Sequence, residues 1–254
     1  MTSKECNIFL ENAMEFGRRL MATGCEARRV EDTIARICDA YGFEDSQVYS
    51  ITNLIIVTIK NADGEHFTQS LRVHAYGTDL GRLEELNAQS RYICENKPPL
   101  EEFVDMVQSY QKPKPHFFLK MAGYMVSAGS FAVLFGGNWL DAIASAVIAS
   151  IIYLLDIYLR PKVGNNTIYT FAASLISGCL ALVMVHFGFG VNSDKIMIGD
   201  VMLLIPGLLL VNAIKEMFNR DIYTGLHRFV EAILVAVAIG GGFALSYIVM
   251  GGVL

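Results

Sequence analysis

The sequence predicts an α-helical membrane protein in which a small cytosolic α+β N-terminal domain precedes a bundle of five transmembrane helices. The chain is apolar for its 254 residues, with 53% hydrophobic and 18% charged residues. Its charges are also unevenly placed, because residues 1–116 contain 13 of the 20 Lys and Arg residues and 18 of the 25 Asp and Glu residues. The first part therefore has the composition of a soluble domain, and the rest has that of a membrane bundle.

Charge and cysteine content exclude several function classes. The net charge is −5 and no basic cluster is present, which argues against a nucleic-acid partner. The cysteines are odd in number and form no C-x-x-C pair, so neither a disulfide framework nor a zinc site is indicated, and no cofactor is expected. The five are Cys6, Cys25, Cys38, Cys94 and Cys179. Acidic residues interrupt the first apolar run, so we expect no cleaved signal peptide.

Two helices open the predicted domain of residues 1–111. The first covers residues 4–23, where apolar residues recur at broadly helical spacing: Ile8, Phe9, Ala13, Phe16 and Leu20. The second begins at Ala27, repeats apolar residues at i, i+4 and i+7 from Val30, and ends near Gly42. The Gly24-Cys25-Glu26 segment separates the two.

Strands and two further helices complete this domain. Residues 47–60 and 66–73 are rich in β-branched and aromatic residues, and the turn at 61–64 joins them as a hairpin. Thr78 or Asp79 can cap a helix that runs to Glu95, with Leu80, Leu83 and Leu86 on one face. A short helix to Tyr110 precedes a Lys/Pro linker at 112–116. The predicted order is α-α-β-β-α-α.

Enzyme chemistry is not indicated in this domain. The sequence contains no G-x-S-x-G, H-E-x-x-H or P-loop motif. A group of charged residues follows Cys25, but its spacing favours a solvated helix face with i,i+3 and i,i+4 pairs over a site. These residues are Arg28, Arg29, Glu31, Asp32 and Arg36.

Five apolar segments form the predicted transmembrane domain of residues 117–254. Each has about the 20 residues needed to cross a ~30 Å hydrocarbon core. They cover residues 117–136, 138–159, 166–190, 196–214 and 229–251. Basic residues in the connections predict a cytosolic N-terminus and an external C-terminus, because only Lys195 lies on the opposite side. The cytosolic set is Lys112, Lys114, Lys120, Arg160, Lys162, Lys215, Arg220 and Arg228.

Several ionisable residues lie inside these apolar segments. Such residues are costly in lipid and by default line a pathway or pair within the bundle. For Asp156 and His186 a position reaching water is an equally good interpretation. Asp141, Asp200 and Glu231 have no evident structural reason in the sequence, and we expect them to carry function.

Two helix interruptions are predicted at similar membrane depth. Pro206-Gly207 lies in the fourth segment, where proline removes a backbone hydrogen bond. Gly240-Gly241-Gly242 lies in the fifth. Paired interruptions are typical of transporter sites, where freed amides bind a carboxylate. A packing kink and a close helix crossing are the alternative explanation, and these residues alone favour it.

A set of short motifs resembles one known family. Residues 205–228 contain P-G-x4-N-A-x4-F followed by T-G-x2-R, and residues 24–31 have the pattern G-x-E-x3-V-E. A strand-rich stretch containing Arg72 follows, and the motif N-W-L-D at residues 138–141 begins the second apolar segment. In this order the motifs resemble the threonine/serine exporter (ThrE-like) family, and the architecture looks closest to its YjjP-like large subunit. The matched residues are Gly24, Glu26, Val30, Glu31, Arg72, Asp141, Pro206, Gly207, Asn212, Ala213, Phe218, Thr224, Gly225 and Arg228.

The resemblance implies a non-enzymatic exporter subunit in the cytoplasmic (inner) membrane. Because the chain ends after its fifth apolar segment, it resembles the split form, which implies a small YjjB-like membrane partner of four or five helices. The heteromeric unit could itself oligomerise. The implied substrate is a small carboxylate, either threonine and serine or a dicarboxylate such as succinate.

Site roles follow from the resemblance together with the intramembrane residues. We expect the substrate to be bound by Pro206, Gly207, Asn212, Thr224 and Arg228. Proton coupling is assigned to Asp141, Asp200 and Glu231, and the motif of the cytosolic domain is Gly24, Glu26, Glu31 and Arg72. A membrane-anchored sensor or enzyme, with the α+β domain as its active part, is the alternative function. A channel-like pore is a third.

Overall fold

Four helices and three strands form the N-terminal part of the computed structural model, which describes residues 1–43, 45–74, 77–109 and 116–251. The helices are α1 (Ser3–Ala22), α2 (Ala27–Ala40), α3 (Leu80–Asn96) and α4 (Leu100–Gln108), and the strands are β1 (Gln47–Ile51), β2 (Leu54–Lys60) and β3 (His66–Arg72). Helix α1 begins with a capping box, in which the Thr2 hydroxyl accepts from the Glu5 N–H and the Glu5 carboxylate accepts from the Thr2 N–H.

The sheet is antiparallel in the order β1-β2-β3. The prediction of one strand over residues 47–60 is wrong, because a two-residue turn at Thr52-Asn53 places Ile51 opposite Leu54 and divides the segment. The predicted hairpin at residues 61–64 is confirmed. Lys60 pairs with His66, and Gly64 supplies the positive φ of +85°.

Helix α1 packs on the sheet and on α2, α3 and α4 around an aromatic cluster. The Phe9 ring lies 4.9 to 5.6 Å from the rings of Tyr41, Phe43 and Phe103. Leu86 is buried as expected, but Leu80 is 61% exposed. The predicted apolar face therefore begins one turn later, since Leu80 is the first residue of α3.

Seven helices form the described C-terminal part of the chain, residues 116–251. They are α5 (Phe117–Leu134), α6 (Trp139–Tyr158), α7 (Arg160–Val163), α8 (Asn166–His186), α9 (Ser193–Leu204), α10 (Gly207–Phe218) and α11 (Ile222–Gly251). Within the described residues, α5, α6, α8 and α11 are each long and apolar enough to cross a membrane, and α9 with α10 would make a fifth crossing. The predicted linker at 112–116 lies outside the described residues except for His116, and so do Tyr110, Lys112 and Lys114.

Three sequence expectations about these helices are corrected. The third apolar segment ends as a helix at His186 rather than at residue 190. The connection before α11 is three residues long, so Lys215 and Arg228 lie in helices. Helix α11 continues through Gly240-Gly241-Gly242, so an interruption there is wrong. Gly242 instead serves a close crossing, because a Cβ at this position would meet the Ser174 hydroxyl and lie 2.7 Å from the Phe171 carbonyl oxygen.

The chain divides into two compact units. The first contains Met1–Lys112 and Leu208–Phe229, and the second contains Pro113–Gly207 and Val230–Leu254. Most of α10 and the first two turns of α11 therefore belong with the N-terminal helices and the sheet. In the second unit, α5, α6, α8 and α9 pack closely through small residues, as where Gly129 faces the Ala142 carbonyl.

Candidate functional sites

Asp200 is a fully buried carboxylate among the helices of the second unit. It has no exposed surface, and its carboxylate accepts hydrogen bonds from Ser145 on α6 at 3.0 Å and Ser177 on α8 at 2.7 Å. Within the described residues it forms no salt bridge. We call Asp200, Ser145 and Ser177 the aspartate centre. It is a buried carboxyl group held only by neutral donors on two neighbouring helices.

Gly199 permits this arrangement. A Cβ at this position would lie 2.6 Å from both the Ala128 carbonyl oxygen and the Ser145 hydroxyl oxygen. Any larger residue would push α9 away from α5 and α6 and lengthen the Asp200 to Ser145 contact.

Asp141 has a structural role that the sequence did not show. Its carboxylate accepts from the backbone N–H groups of Asn138, Val191 and Asn192 at 2.7 to 3.0 Å, and from the Asn192 side chain at 2.9 Å. It caps α6 and joins this end of the helix to the segment before α9. The expectation that Asp141 has no structural reason is therefore wrong.

Asp156, His186 and Glu231 do not belong to the aspartate centre. Asp156 forms a salt bridge of 2.9 Å with Arg160, one turn further along the chain. His186 is exposed at the end of α8, and Glu231 is half-buried on α11. Asp141 and Asp200 have no hydrogen-bond partner in common.

A second polar group of residues lies in the first unit, where the α1–α2 loop meets α10 and α11. The Asn212 side chain donates to the Gly24 carbonyl at 3.4 Å, and Arg228 donates to the Cys25 carbonyl at 3.2 Å. Gly24 has a φ of +86° and lies close to the Gly77 carbonyl, which explains why this position requires glycine. We call these contacts, with Glu216, the motif centre, since most of its members belong to the motifs noted above.

Glu216 connects the parts of the motif centre. Its Oε1 atom accepts from the Ala27 N–H at 3.2 Å and lies 2.8 Å from Arg228, and both charged residues are at most 3% exposed. Helix α2 has no side-chain cap of its own, so the carboxylate of Glu216 satisfies its first amide. Lys215 reaches Glu26 at 3.5 Å on the exposed side.

Sequence reasoning did not single out Glu216. The predicted fourth apolar segment ends at residue 214, so Glu216 falls in the connection that follows it. Its signal is its helical spacing, because Glu216 follows Asn212 and Ala213 by four and three residues and shares their face of α10.

The T-G-x2-R motif has a packing role as well. A Cβ on Gly225 would lie 2.8 Å from the Ala213 carbonyl oxygen and 2.9 Å from the Met217 nitrogen. The small residues of N-A and T-G therefore let α10 and α11 approach closely enough for Glu216 to reach Arg228.

The remaining predicted residues are dispersed. The Gly207 N–H donates to the Ile205 carbonyl at 2.9 Å, directly after the helix break at Pro206. Arg72 is exposed at the end of β3, and Phe218 is 85% exposed. The structure therefore joins Gly24, Cys25, Glu26 and Ala27 with Asn212, Lys215, Glu216 and Arg228, but shows no contact of Arg72 with them.

Glu31 and Cys25 have perturbed acidities. The Glu31 carboxylate accepts from the Ser50 N–H at 2.6 Å, yet burial raises its pKa above the ordinary value, with nearby Asp221 and Asp32 contributing. Burial raises the pKa of the Cys25 thiol to about 11, so this thiol stays protonated at neutral pH. Among the described residues no group of three His, Cys, Asp or Glu side chains could hold a metal ion.

Comparison with known proteins identifies the family. The family model described as "Putative threonine/serine exporter" matches residues 11–250. The chain belongs to the threonine/serine exporter family. Membership of this exporter family and the four to five helices able to cross a bilayer make it a multi-pass membrane protein.

Relatives within the threonine/serine exporter family include proteins of two sizes. The chain is 29% identical to the "Probable succinate transporter subunit YjjP" of Escherichia coli, covering 94% of this chain and 93% of that protein. It is 24% identical to the "Threonine/serine exporter" of Corynebacterium glutamicum, covering 93% of this chain but 51% of that protein. No solved structure matches the chain.

Proposed function

We propose that this protein is one subunit of a proton-coupled secondary transporter. It exports small carboxylate-bearing metabolites, either threonine and serine or a dicarboxylate such as succinate, across the cytoplasmic membrane. Its membership of an exporter family and the names of its relatives support export, and they favour a transporter over an enzyme. The observation that carries the coupling proposal is the aspartate centre.

A carboxyl group among apolar helices suits proton coupling. Asp200 is fully buried, and its only partners in the described structure are two serine hydroxyls. A hydroxyl can donate to a carboxylate, or rotate and accept from the protonated acid, so Ser145 and Ser177 can serve both states. Ionisable groups held in this way inside a membrane commonly act as proton relays.

Asp200 is therefore the preferred coupling residue among the three acids expected from sequence. Asp141 is saturated by N–H donors and holds the fold, so its replacement should act through stability. Glu231 stays a secondary candidate on α11.

The break between α9 and α10 remains the proposed binding contact for the substrate. Helix α10 begins at Gly207 after Pro206, and the first amides of a helix attract a carboxylate. Asn212 and Arg228 instead hold the α1–α2 loop, which favours a role in positioning that loop over direct substrate contact. Thr224 stays in the proposed binding set.

We also propose the assembly and orientation that the sequence suggests. The N-terminal domain lies in the cytosol, the C-terminus is external, and a small YjjB-like membrane subunit completes the transporter. The relative called a succinate transporter subunit matches along nearly its whole length, which supports the two-component form. The heteromeric unit can oligomerise further.

Proteoliposomes containing this chain and its partner subunit test the proposal. We expect export of radiolabelled succinate or threonine to follow an imposed proton gradient, and Asp200→Asn to reduce the gradient-driven rate by tenfold or more. Asp194→Asn is the matched control, because this exposed acid lies on the same helix and pairs with Lys195 at the surface. A rate that ignores the gradient, or that is unchanged in Asp200→Asn, contradicts proton coupling through the aspartate centre.

A further inference from the structure

A small pocket of about 180 Å³ lies in the first unit, between the β1–β2 turn and the first turns of α11. Its lining contains hydroxyl, amide and imidazole groups beside the apolar side chain of Ile51. The lining residues are Ile51, Thr52, Asn53, Tyr223, Thr224 and His227. The β1–β2 turn, Tyr223 and His227 belong to neither the aspartate centre nor the motif centre.

The start of α11 supplies hydrogen-bond donors at this pocket. The helix is 30 residues long and begins at Ile222. The first N–H groups of a helix have no acceptor within it, and its N-terminal end carries partial positive charge. Tyr223 and Thr224 are in this first turn and line the pocket, whereas the Gly225 N–H already donates to the Asp221 carbonyl at 3.0 Å.

The Thr224 hydroxyl is a second feature of the pocket that points to a ligand. Thr224 is 1% exposed and lines the pocket, and its Oγ1 atom has no hydrogen-bond partner among the described residues. Buried polar atoms almost always have a partner, so this hydroxyl is a hydrogen-bond donor available to a ligand in the pocket.

We infer that this pocket binds a small carboxylate-bearing molecule. The carboxylate would accept from the first amides of α11 and from the Thr224 hydroxyl, while Asn53 and His227, whose side chains are exposed at the rim, contact the rest of the ligand. This inference rests on the proposed function in one respect, that the ligand is the exported metabolite. The pocket is then a loading site in the first unit, separate from the aspartate centre.

Binding to the full-length chain in detergent tests the inference without requiring transport. Isothermal titration calorimetry with succinate and with L-threonine should give saturable binding. The probe that binds more tightly shows whether the site prefers a dicarboxylate or an amino acid. Succinamide and L-threonine amide, which lack free carboxylates, should bind at least tenfold more weakly. Binding that does not depend on the carboxylate overturns the proposal.

Variants locate the site. Thr224→Val should weaken binding about tenfold, as expected for the loss of one hydrogen bond to a charged group, while Thr224→Ser should retain it. Thr68→Val is the control, because this threonine is exposed on β3 and is not part of the pocket lining. If Thr224→Val does not fold, Asn53→Ala and His227→Ala carry the test, since both residues are exposed. Binding that is unchanged in all pocket variants overturns the assignment.

The two proposals fail separately. Carboxylate-specific binding that is lost in Thr224→Val, combined with no export by the assembled transporter, supports the pocket and refutes the proposed function. Proton-driven export without any carboxylate binding to this pocket supports the proposed function and refutes the loading site.

Discussion

At the scale of single residues, the motif centre depends on one buried ion pair. The Oε1 atom of Glu216 lies 2.8 Å from the Nη1 atom of Arg228, and both side chains are almost completely buried. Removing one partner of such a pair leaves the other charge without compensation, which costs far more than the net contribution of the pair. Glu216 also accepts from the first amide of α2, and Arg228 donates to the α1–α2 loop, so the effect extends beyond the pair.

Breaking this pair should destabilise the first unit strongly. We expect Arg228→Met to lower the free energy of unfolding by about 3–5 kcal/mol, because Glu216 then stays buried and unpaired. The double variant Glu216→Met with Arg228→Met should recover part of this loss. Denaturant unfolding in detergent measures both.

Lys215→Met is the matched control for the ion pair. Lys215 is 57% exposed and lies 3.5 Å from Glu26, so its loss should cost less than about 1 kcal/mol. Equal effects of Arg228→Met and Lys215→Met would show that burial of the pair does not matter.

Glu31 should make stability depend on pH. Burial raises its pKa in the folded state, so the folded state binds the proton more tightly than the unfolded state does. This contribution to stability is present below the unfolded pKa, near 4.5, and is lost as pH rises through the raised folded value. At pH values above this range, we expect Glu31→Gln to raise the thermal midpoint, because the variant has no charge to bury. Its amide oxygen can still accept from the Ser50 N–H.

The comparison for Glu31 is Glu11, an exposed acid on α1. Glu11→Gln should leave the pH profile of the thermal midpoint close to that of the wild type, because Glu11 is not among the groups that act on Glu31. A profile that is the same in Glu31→Gln and the wild type would exclude Glu31 as the titrating group.

At the scale of elements, glycines determine how closely the membrane helices cross. Gly242 on α11 lies against the Phe171 carbonyl of α8, while a Cβ on Gly240 would meet no atom within 4 Å. The two positions share one helix and differ only in their surroundings. Substitutions at these two positions therefore distinguish the packing role of glycine from its low helix propensity.

Alanine at these two positions should have opposite effects. Gly242→Ala forces α8 and α11 apart and should cost about 1–3 kcal/mol. Gly240→Ala adds helix propensity without a clash and should stabilise by up to about 1 kcal/mol. Unfolding of the two variants in the same detergent tests this, and similar values for both would contradict the crossing.

At the scale of the whole molecule, export requires a defined orientation in the membrane. Ser3 precedes all the apolar segments, Lys162 lies in the α6–α8 connection, and Lys195 lies at the start of α9. In the proposed topology the first two share the cytosolic side, and Lys195 is external.

Single cysteines at these three positions should report this orientation. In a background with Cys6, Cys25, Cys38, Cys94 and Cys179 replaced, a membrane-impermeant maleimide added to intact cells should label only Lys195→Cys. After the cells are opened, Ser3→Cys and Lys162→Cys should react as well. Labelling of Ser3→Cys in intact cells would reverse the topology.

Much of the fold could be predicted from local patterns. The two N-terminal helices, the hairpin at residues 61–64 and the apolar helices follow from periodicity, turn residues and run length, which act over a few neighbouring positions. The division of residues 47–60 into two strands could not be predicted, because Thr52-Asn53 forms its turn only when Ile51 pairs with Leu54. The close crossing of Gly242 with α8 could not be predicted either, because glycine spacing does not reveal which helix lies opposite.

The sequence by itself determined which segments can enter a bilayer, because each apolar run must satisfy its own backbone hydrogen bonds in lipid. It also contained the motifs of the exporter family. Only the tertiary structure decided what the polar residues in and beside those segments do. Arg228 meets Cys25 across 203 positions of sequence, and Asp200 meets Ser145 across 55. Such partners depend on helix packing, since burial leaves each charged or polar group no solvent with which to pair.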